Sequence, residues 1–323
     1  MRRLLFALAV LSALALVPAA VADGGGPSPG LMYGWTGVTG PGQPRYVTLP
    51  TARSTVLAEV DRANGKVIQF RVLKGNWGIP AVANDGSTGG LTRDGKTLVV
   101  ADWVPPQNSP LRTVSRFQLV HARTLAPFKT ITLTGDWSYD ALSPNGQTLY
   151  LIQHMSVQDT LKYQVRAYDL NGFGLRPRVI ADRRQTGWVM RGYPMRRIAS
   201  ADGRFVYTLY VQPGGTPFVH ALDAVNATAV CIGVPWKGNI GIAKVRLDEA
   251  KKALTVSGPR GQQVRIDTAT YRVSLPGHGG SGFPVALVAG LASAAVALAV
   301  LVLIALRRRN RPQPVGSPAY NIK

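Results

Sequence analysis

Gly90-Leu-Thr-Arg-Asp-Gly95-Lys96-Thr97 has the spacing of a phosphate-binding loop, two glycines flanking four residues ahead of Lys-Thr. Phosphate chemistry at that spacing needs a strand before the loop and a helix after it, so that backbone N–H groups converge on the anion. Leu98-Val99-Val100 reads as strand, which argues against nucleotide binding. The four histidines, His121, His154, His220 and His278, show no metal-ligand spacing, and no Gly-x-Ser-x-Gly nucleophile elbow is present. From these residues neither a catalytic centre nor a metal nor another cofactor is expected.

Two patterns point to binding instead. Arg176, Arg178, Arg183, Arg184, Arg191, Arg196 and Arg197 crowd into one stretch opposed only by Asp182, a charge density that could draw an anionic polymer or lipid headgroup. Trp77, Trp137, Trp188 and Trp236 each fall in the link between one strand pair and the next hairpin, and Trp35 stands in the same phase. The candidate ligand-binding set is therefore Trp77, Trp137, Trp188 and Trp236 with Arg183, Arg184, Arg196 and Arg197. Such a rim would stack flat rings beside cations. The competing expectation buries each tryptophan as a wedge between sheets, where a large aromatic contributes most, and leaves the arginines as a solvated face.

The elements that must position these residues repeat about every 50 residues. Leu91-Thr-Arg-Asp-Gly-Lys-Thr-Leu-Val-Val100 is matched by Leu142-Ser-Pro-Asn-Gly-Gln-Thr-Leu-Tyr-Leu151 and by Ala199-Ser-Ala-Asp-Gly-Arg-Phe-Val-Tyr-Thr208. A degraded fourth copy runs from Leu247 to Val256. An Asp-Gly or Asn-Gly turn followed by β-branched and aromatic residues is a hairpin signature. Between these hairpins lie five further strand pairs: 56–61 with 67–72, 116–120 with 129–133, 164–170 with 178–180, 218–222 with 228–232, and 264–266 with 271–275. Alternation of the two kinds of pair predicts about five four-stranded units, the first of which lacks a clear innermost strand unless Leu31 to Tyr33 supplies it.

Glu59-Val60-Asp61, Asn64-Gly65-Lys66-Val67 and Leu142-Ser143-Pro144-Asn145-Gly146 resemble the YVTN-type β-propeller repeat. The resemblance implies an all-β propeller of about five four-stranded blades, an architecture that leaves only short protected strand edges. Two β-sandwiches are the alternative, and they would not explain the regular hairpins. Some propellers with such repeats are lactonases, but no set of acids and histidines here maps onto such a site.

The ends of the chain carry different signals. Residues 1–22 read as a secretory signal peptide, with Arg2 and Arg3 ahead of an apolar run and Ala20-Val21-Ala22 at the cleavage point. Residues 23–276 form the expected extracytoplasmic propeller, and 277–282 a Gly-rich linker. Residues 283–306 lack any charge and are long enough to cross a bilayer, and 307–323 form a basic tail. Arg307, Arg308, Arg309 and Arg311 after the span, against a linker without Lys or Arg, place the tail in the cytoplasm and the large domain outside. The exported part holds 30 basic against 16 acidic residues, a net +14, and Cys231 is the only cysteine, so no internal disulfide can form. Export makes nucleic acid a poor partner, and the Ala, Arg, Gly, Pro and Val bias fits a bacterial genome rich in G and C. The expected function is a binding or scaffolding module at the plasma membrane, for an anionic cell-envelope polymer or a protein partner, with a lactonase-type hydrolase as the alternative.

Overall fold

The computed structural model describes residues 36–40, 42, 44–103, 109–182 and 189–275. They build five antiparallel sheets, each from one contiguous stretch of chain. The first holds β1 (Val38–Thr39), β2 (Arg45–Pro50), β3 (Ser54–Val60) and β4 (Val67–Lys74); the second β5 (Trp77–Gly78), β6 (Thr97–Asp102), β7 (Val114–His121) and β8 (Ala126–Thr134). The third holds β9 (Trp137–Leu142), β10 (Thr148–His154), β11 (Lys162–Asp169) and β12 (Gly174–Ile180), with β13 (Met190–Arg191) also pairing with β11. The fourth holds β14 (Tyr193–Ala199), β15 (Phe205–Val211), β16 (Phe218–Asp223) and β17 (Thr228–Gly233); the fifth β18 (Lys244–Asp248), β19 (Ala253–Ser257), β20 (Gln263–Asp267) and β21 (Val273–Ser274). The described residues are thus all-β and propeller-like, each sheet a four-stranded meander to which the third adds β13.

Successive side chains of a strand point to opposite faces, so a strand with sheets on both sides is apolar throughout. In β6, Leu98 and Val100 join the cluster with the first sheet's Leu57 and Leu73, while Val99 and Ala101 join that with the third sheet's Leu149 and Leu151. Similar clusters join the third sheet to the fourth, through Tyr150, Val165, Tyr210 and Leu222, and the fourth to the fifth, through Leu209, Val219, Val256 and Ile266. Among the described residues no apolar cluster joins the fifth sheet to the first.

The two faces left over are chemically unlike. On the first sheet Leu49, Val56 and Val72 form one cross-strand row and Val47, Ala58 and Phe70 the next. Leu49 is 58% exposed, Phe70 66% and Val72 59%. On the fifth, Arg246, Thr255 and Arg265 make one row and Lys244, Ser257 and Gln263 another.

The expected first-sheet boundary needs correcting. Its innermost strand is Val38–Thr39, and β2 pairs with it without an Asp-Gly or Asn-Gly turn. Leu31 to Tyr33 and Trp35 lie outside the described residues, as do the signal peptide, the linker and residues 283–323. Among the described residues no helix is long and apolar enough to cross a membrane.

Candidate functional site

The repeat turns gather at one end of the sheets. In each, a hydroxyl binds the carboxylate or amide two residues on: Thr92 Oγ1 to Asp94 and Ser143 Oγ to Asn145, each at 2.7 Å, and Ser200 Oγ to Asp202 at 2.5 Å. Gly95, Gly146 and Gly203 follow with φ of 67°, 69° and 73°, where a Cβ would be strained. Lys96 is exposed and reaches only Asp94, at 3.4 Å, and strand follows the loop, so the phosphate-loop spacing has no helix behind it. The turns also touch one another. Arg93 Nη1 donates to the Ala201 carbonyl, and the Glu249 carboxylate of the degraded fourth copy accepts from Ala201 N.

Beneath these turns lies a cavity of about 370 Å³, lined by Val38 of β1, Tyr139 and Asp140 of β9 and Arg197 of β14 together with the turns. Val82, Thr88, Gly89 and Gly90, from the segment between β5 and the turn at Thr92, form part of its wall. Asn84 N donates to the Pro194 carbonyl at 2.9 Å, and Ile79, Ala81 and Ala83 are buried, so this segment reaches from the second sheet to β14 of the fourth. Arg93 is exposed at the mouth, whereas Asp140 and Arg197 are buried and paired, with Arg197 Nη1 2.6 Å from the Asp140 carbonyl and Nη2 on Oδ1. Burial pushes the Tyr139 hydroxyl up to about 12, so it stays protonated.

From Arg197 a polar row crosses the fourth sheet. Arg197 pairs with Thr208, Thr208 with His220, and His220 with Cys231. The third sheet faces this row with Asp140, Tyr163 and Met190, and Asp182, past the end of β12, bridges to Ala229 of β17 beside it. Asp182 Oδ2 accepts from Cys231 N at 2.9 Å, and Tyr163 stacks on Tyr210 with centroids 5.4 Å apart. Among the described residues, Asp140 Oδ2, Tyr163 OH, Thr208 Oγ1 and His220 Nε2 are buried without a hydrogen-bond partner. Burial pushes the His220 imidazole down to about 4, so it is neutral near pH 7.

The candidate residues are scattered rather than assembled. Trp77 and Trp137 are 6% and 3% exposed, wedged between the first and second sheets and the second and third, so neither belongs to an exposed rim. Their indole N–H groups donate to Lys74 O and Thr134 O, both at 2.8 Å. Trp236 packs against the cluster between the fourth and fifth sheets. Arg196 is not a surface donor either, since it binds the Ala243 carbonyl at 3.1 Å and the Gly241 carbonyl at 3.3 Å, and Arg197 is held by Asp140. Arg191 pairs with Asp159 at 2.7 Å, which leaves Arg176 and Arg178 as the exposed members of the run among the described residues. Trp188, Arg183 and Arg184 lie outside the described residues. Among the described members Arg196 and Arg197 do not share one face, because consecutive strand residues point to opposite sides.

Two constellations carry no repeat signature. Arg112 binds Asp136 through Nε at 2.9 Å and Nη2 at 2.6 Å, both side chains being buried. Beside them Ser138 Oγ lies 3.2 Å from His154 Nε2, and His154 Nδ1 3.3 Å from the Thr160 carbonyl. Desolvation holds His154 below the ordinary imidazole value, against the pull of Asp136. Among the described residues no group of three or more His, Cys, Asp or Glu side chains gathers as a metal site.

No family model matches the chain, and no curated protein matches it. Among solved structures it is similar to TolB from Acinetobacter baumannii, at 16% identity and a TM-score of 0.37, over 73% of this chain and 51% of that one. It is similar to a putative TolB from Agrobacterium tumefaciens, at 14% and 0.37, over 72% and 79%. An oligogalacturonate lyase in complex with manganese aligns at 12% and 0.42, over 74% and 64%. The chain spans about half the length of the first of these, and likenesses this distant assign it neither substrate nor partner.

Proposed function

We propose that this chain is a membrane-tethered extracytoplasmic module of five propeller blades that binds an anionic segment of an envelope polymer or partner protein at the mouth beneath its repeat turns. The observation that carries the reading is the cavity of about 370 Å³, whose lining charges are Arg93, Asp140 and Arg197. Arg197 neutralises Asp140, and Arg93, whose charge also acts on the Asp202 carboxylate of the neighbouring turn, is the exposed cation at the opening. The exported part adds a field of the same sign, with 30 basic against 16 acidic residues. In this reading residues 1–22 are removed on export, 283–306 hold the chain in the plasma membrane and 307–323 lie in the cytoplasm.

Two experiments test it. Protease added to intact cells or spheroplasts should remove the large domain and spare the tail; protection of the large domain would reverse the orientation. Acidic polysaccharide titrated into the full chain in detergent should bind with an affinity that Arg93→Ala lowers about tenfold, the scale of one charge-assisted contact. The double variant Arg176→Ala/Arg178→Ala, remote from the mouth, should leave it unchanged. Equal affinity for Arg93→Ala and the parent removes the mouth as the site.

The lactonase-type reading has one observation in its favour, the Ser138–His154 hydrogen bond. Ser138 is 1% exposed on β9, which leaves its hydroxyl no approach for a substrate, so the pair is read as structural.

A further inference from the structure

We propose that Cys231, His220 and Met190 form a binding site for one soft metal ion, and that copper(I) is the ion their chemistry selects. Cys231 on β17 and His220 on β16 are directly paired across the fourth sheet, and Met190 on β13 meets them from the third. Cys231 Sγ lies 3.5 Å from His220 Nδ1 and 3.9 Å from Met190 Sδ. A metal about 2.3 Å from each sulfur and about 2.0 Å from the nitrogen, at the centre of a trigonal plane, requires donor separations of about 3.7 Å and about 4.0 Å. The two edges that run from Cys231, of the three in such a triangle, fall within a few tenths of an ångström of these values.

The donor set selects the metal. Thiolate and thioether are soft ligands that favour copper(I), and imidazole accepts the same ion; calcium and magnesium call for oxygen donors.

The two donors that flank the thiol are held in the core. His220 is 2% exposed and turns Nδ1 to the thiol, beside a methionine that is also 2% exposed. Nε2, on the far side of the ring and without a hydrogen-bond partner among the described residues, takes no part in the donor set. Cys231 is half-buried, so of the three donors its residue is the most exposed. On binding, the thiol loses its proton to solvent and the thiolate takes the metal, with no change of oxidation state.

The test is an anaerobic titration of the full chain in detergent with copper(I), in competition with the chromophoric chelator bicinchoninate. The parent should withdraw one equivalent. Cys231→Ser should weaken binding by about a hundredfold or more and Met190→Leu by about tenfold, while Met195→Leu, outside the site, leaves it unchanged. Copper should also raise the melting temperature of the parent and not that of Cys231→Ser. X-ray absorption on the copper-loaded parent, which needs no variant to fold, should read two sulfurs and one nitrogen. The proposal is overturned if the parent withdraws no copper, if Cys231→Ser binds as the parent does, or if the absorption spectrum shows coordination without sulfur.

Discussion

Arg112 and Asp136 are buried against each other, with side chains 4% and 2% exposed, so neither charge has water in reserve. Removing one partner strands the other, and Arg112→Ala is expected to destabilise the domain by about 3–5 kcal/mol in urea unfolding. The repeat offers its own control: the position equivalent to Asp136 in the second sheet is Asn76, whose backbone carbonyl accepts from Trp103 N as that of Asp136 accepts from His154 N. The fold therefore tolerates a neutral residue there, and Arg112→Met with Asp136→Asn should recover most of the loss. His154 adds a pH dependence. Its folded pKa lies below the unfolded value of about 6.5, so the unfolded chain takes up the proton first and stability falls as pH drops below about 6.5, until the folded imidazole is protonated too. Melting temperatures measured downward from pH 7 should show that decline, shallower in His154→Gln; an identical slope in parent and variant would remove His154 as its source.

The links between sheets are built twice from the same parts. Thr55 Oγ1 donates to Gly75 O at 2.9 Å and accepts from Trp77 N at 2.8 Å; Ser115 Oγ donates to Gly135 O at 2.9 Å and accepts from Trp137 N at 2.9 Å. Gly75 and Gly135 have φ of 98° and 99°, which glycine alone adopts without strain. Ser115→Ala leaves the Trp137 N–H buried without its acceptor and should cost about 1–3 kcal/mol by chemical denaturation, while Ser115→Thr, copying Thr55, should be nearly neutral. The signal was present in the chain as Gly75-Asn76-Trp77 and Gly135-Asp136-Trp137. The recurrence of tryptophan was legible, but its burial was not, because phase along the chain does not say which face a neighbouring sheet covers. The Asp-Gly and Asn-Gly hairpins were legible because positive φ restricts the turn residues strongly. β2 was not, since it joins β1 through no such turn. The polar row from Arg197 to Cys231 was hidden because its members come from four strands and meet only through register.

At the scale of the whole molecule, the described sheets run in sequence order and no strand is exchanged between them. Among the described residues nothing covers the first sheet's apolar outward face, so Phe70→Lys should change unfolding free energy by less than about 0.5 kcal/mol; a loss of several kcal/mol would mean that the face is packed in solution. The same arrangement makes cooperativity uneven along the chain. Among the described residues the second, third and fourth sheets each have a packed neighbour on both sides, while the first and fifth have one, so stability approaches a sum over nearest-neighbour terms and the ends fray before the middle opens. Amide hydrogen exchange should accordingly rank β10 and β15 as the slowest strands, with β3 and β19, equally central within their own sheets, exchanging faster. The tether expected after Leu275 leaves from one of these frayed ends. Tension carried through it would open the fifth sheet first, ahead of the turns at Thr92, Ser143 and Ser200 that line the mouth.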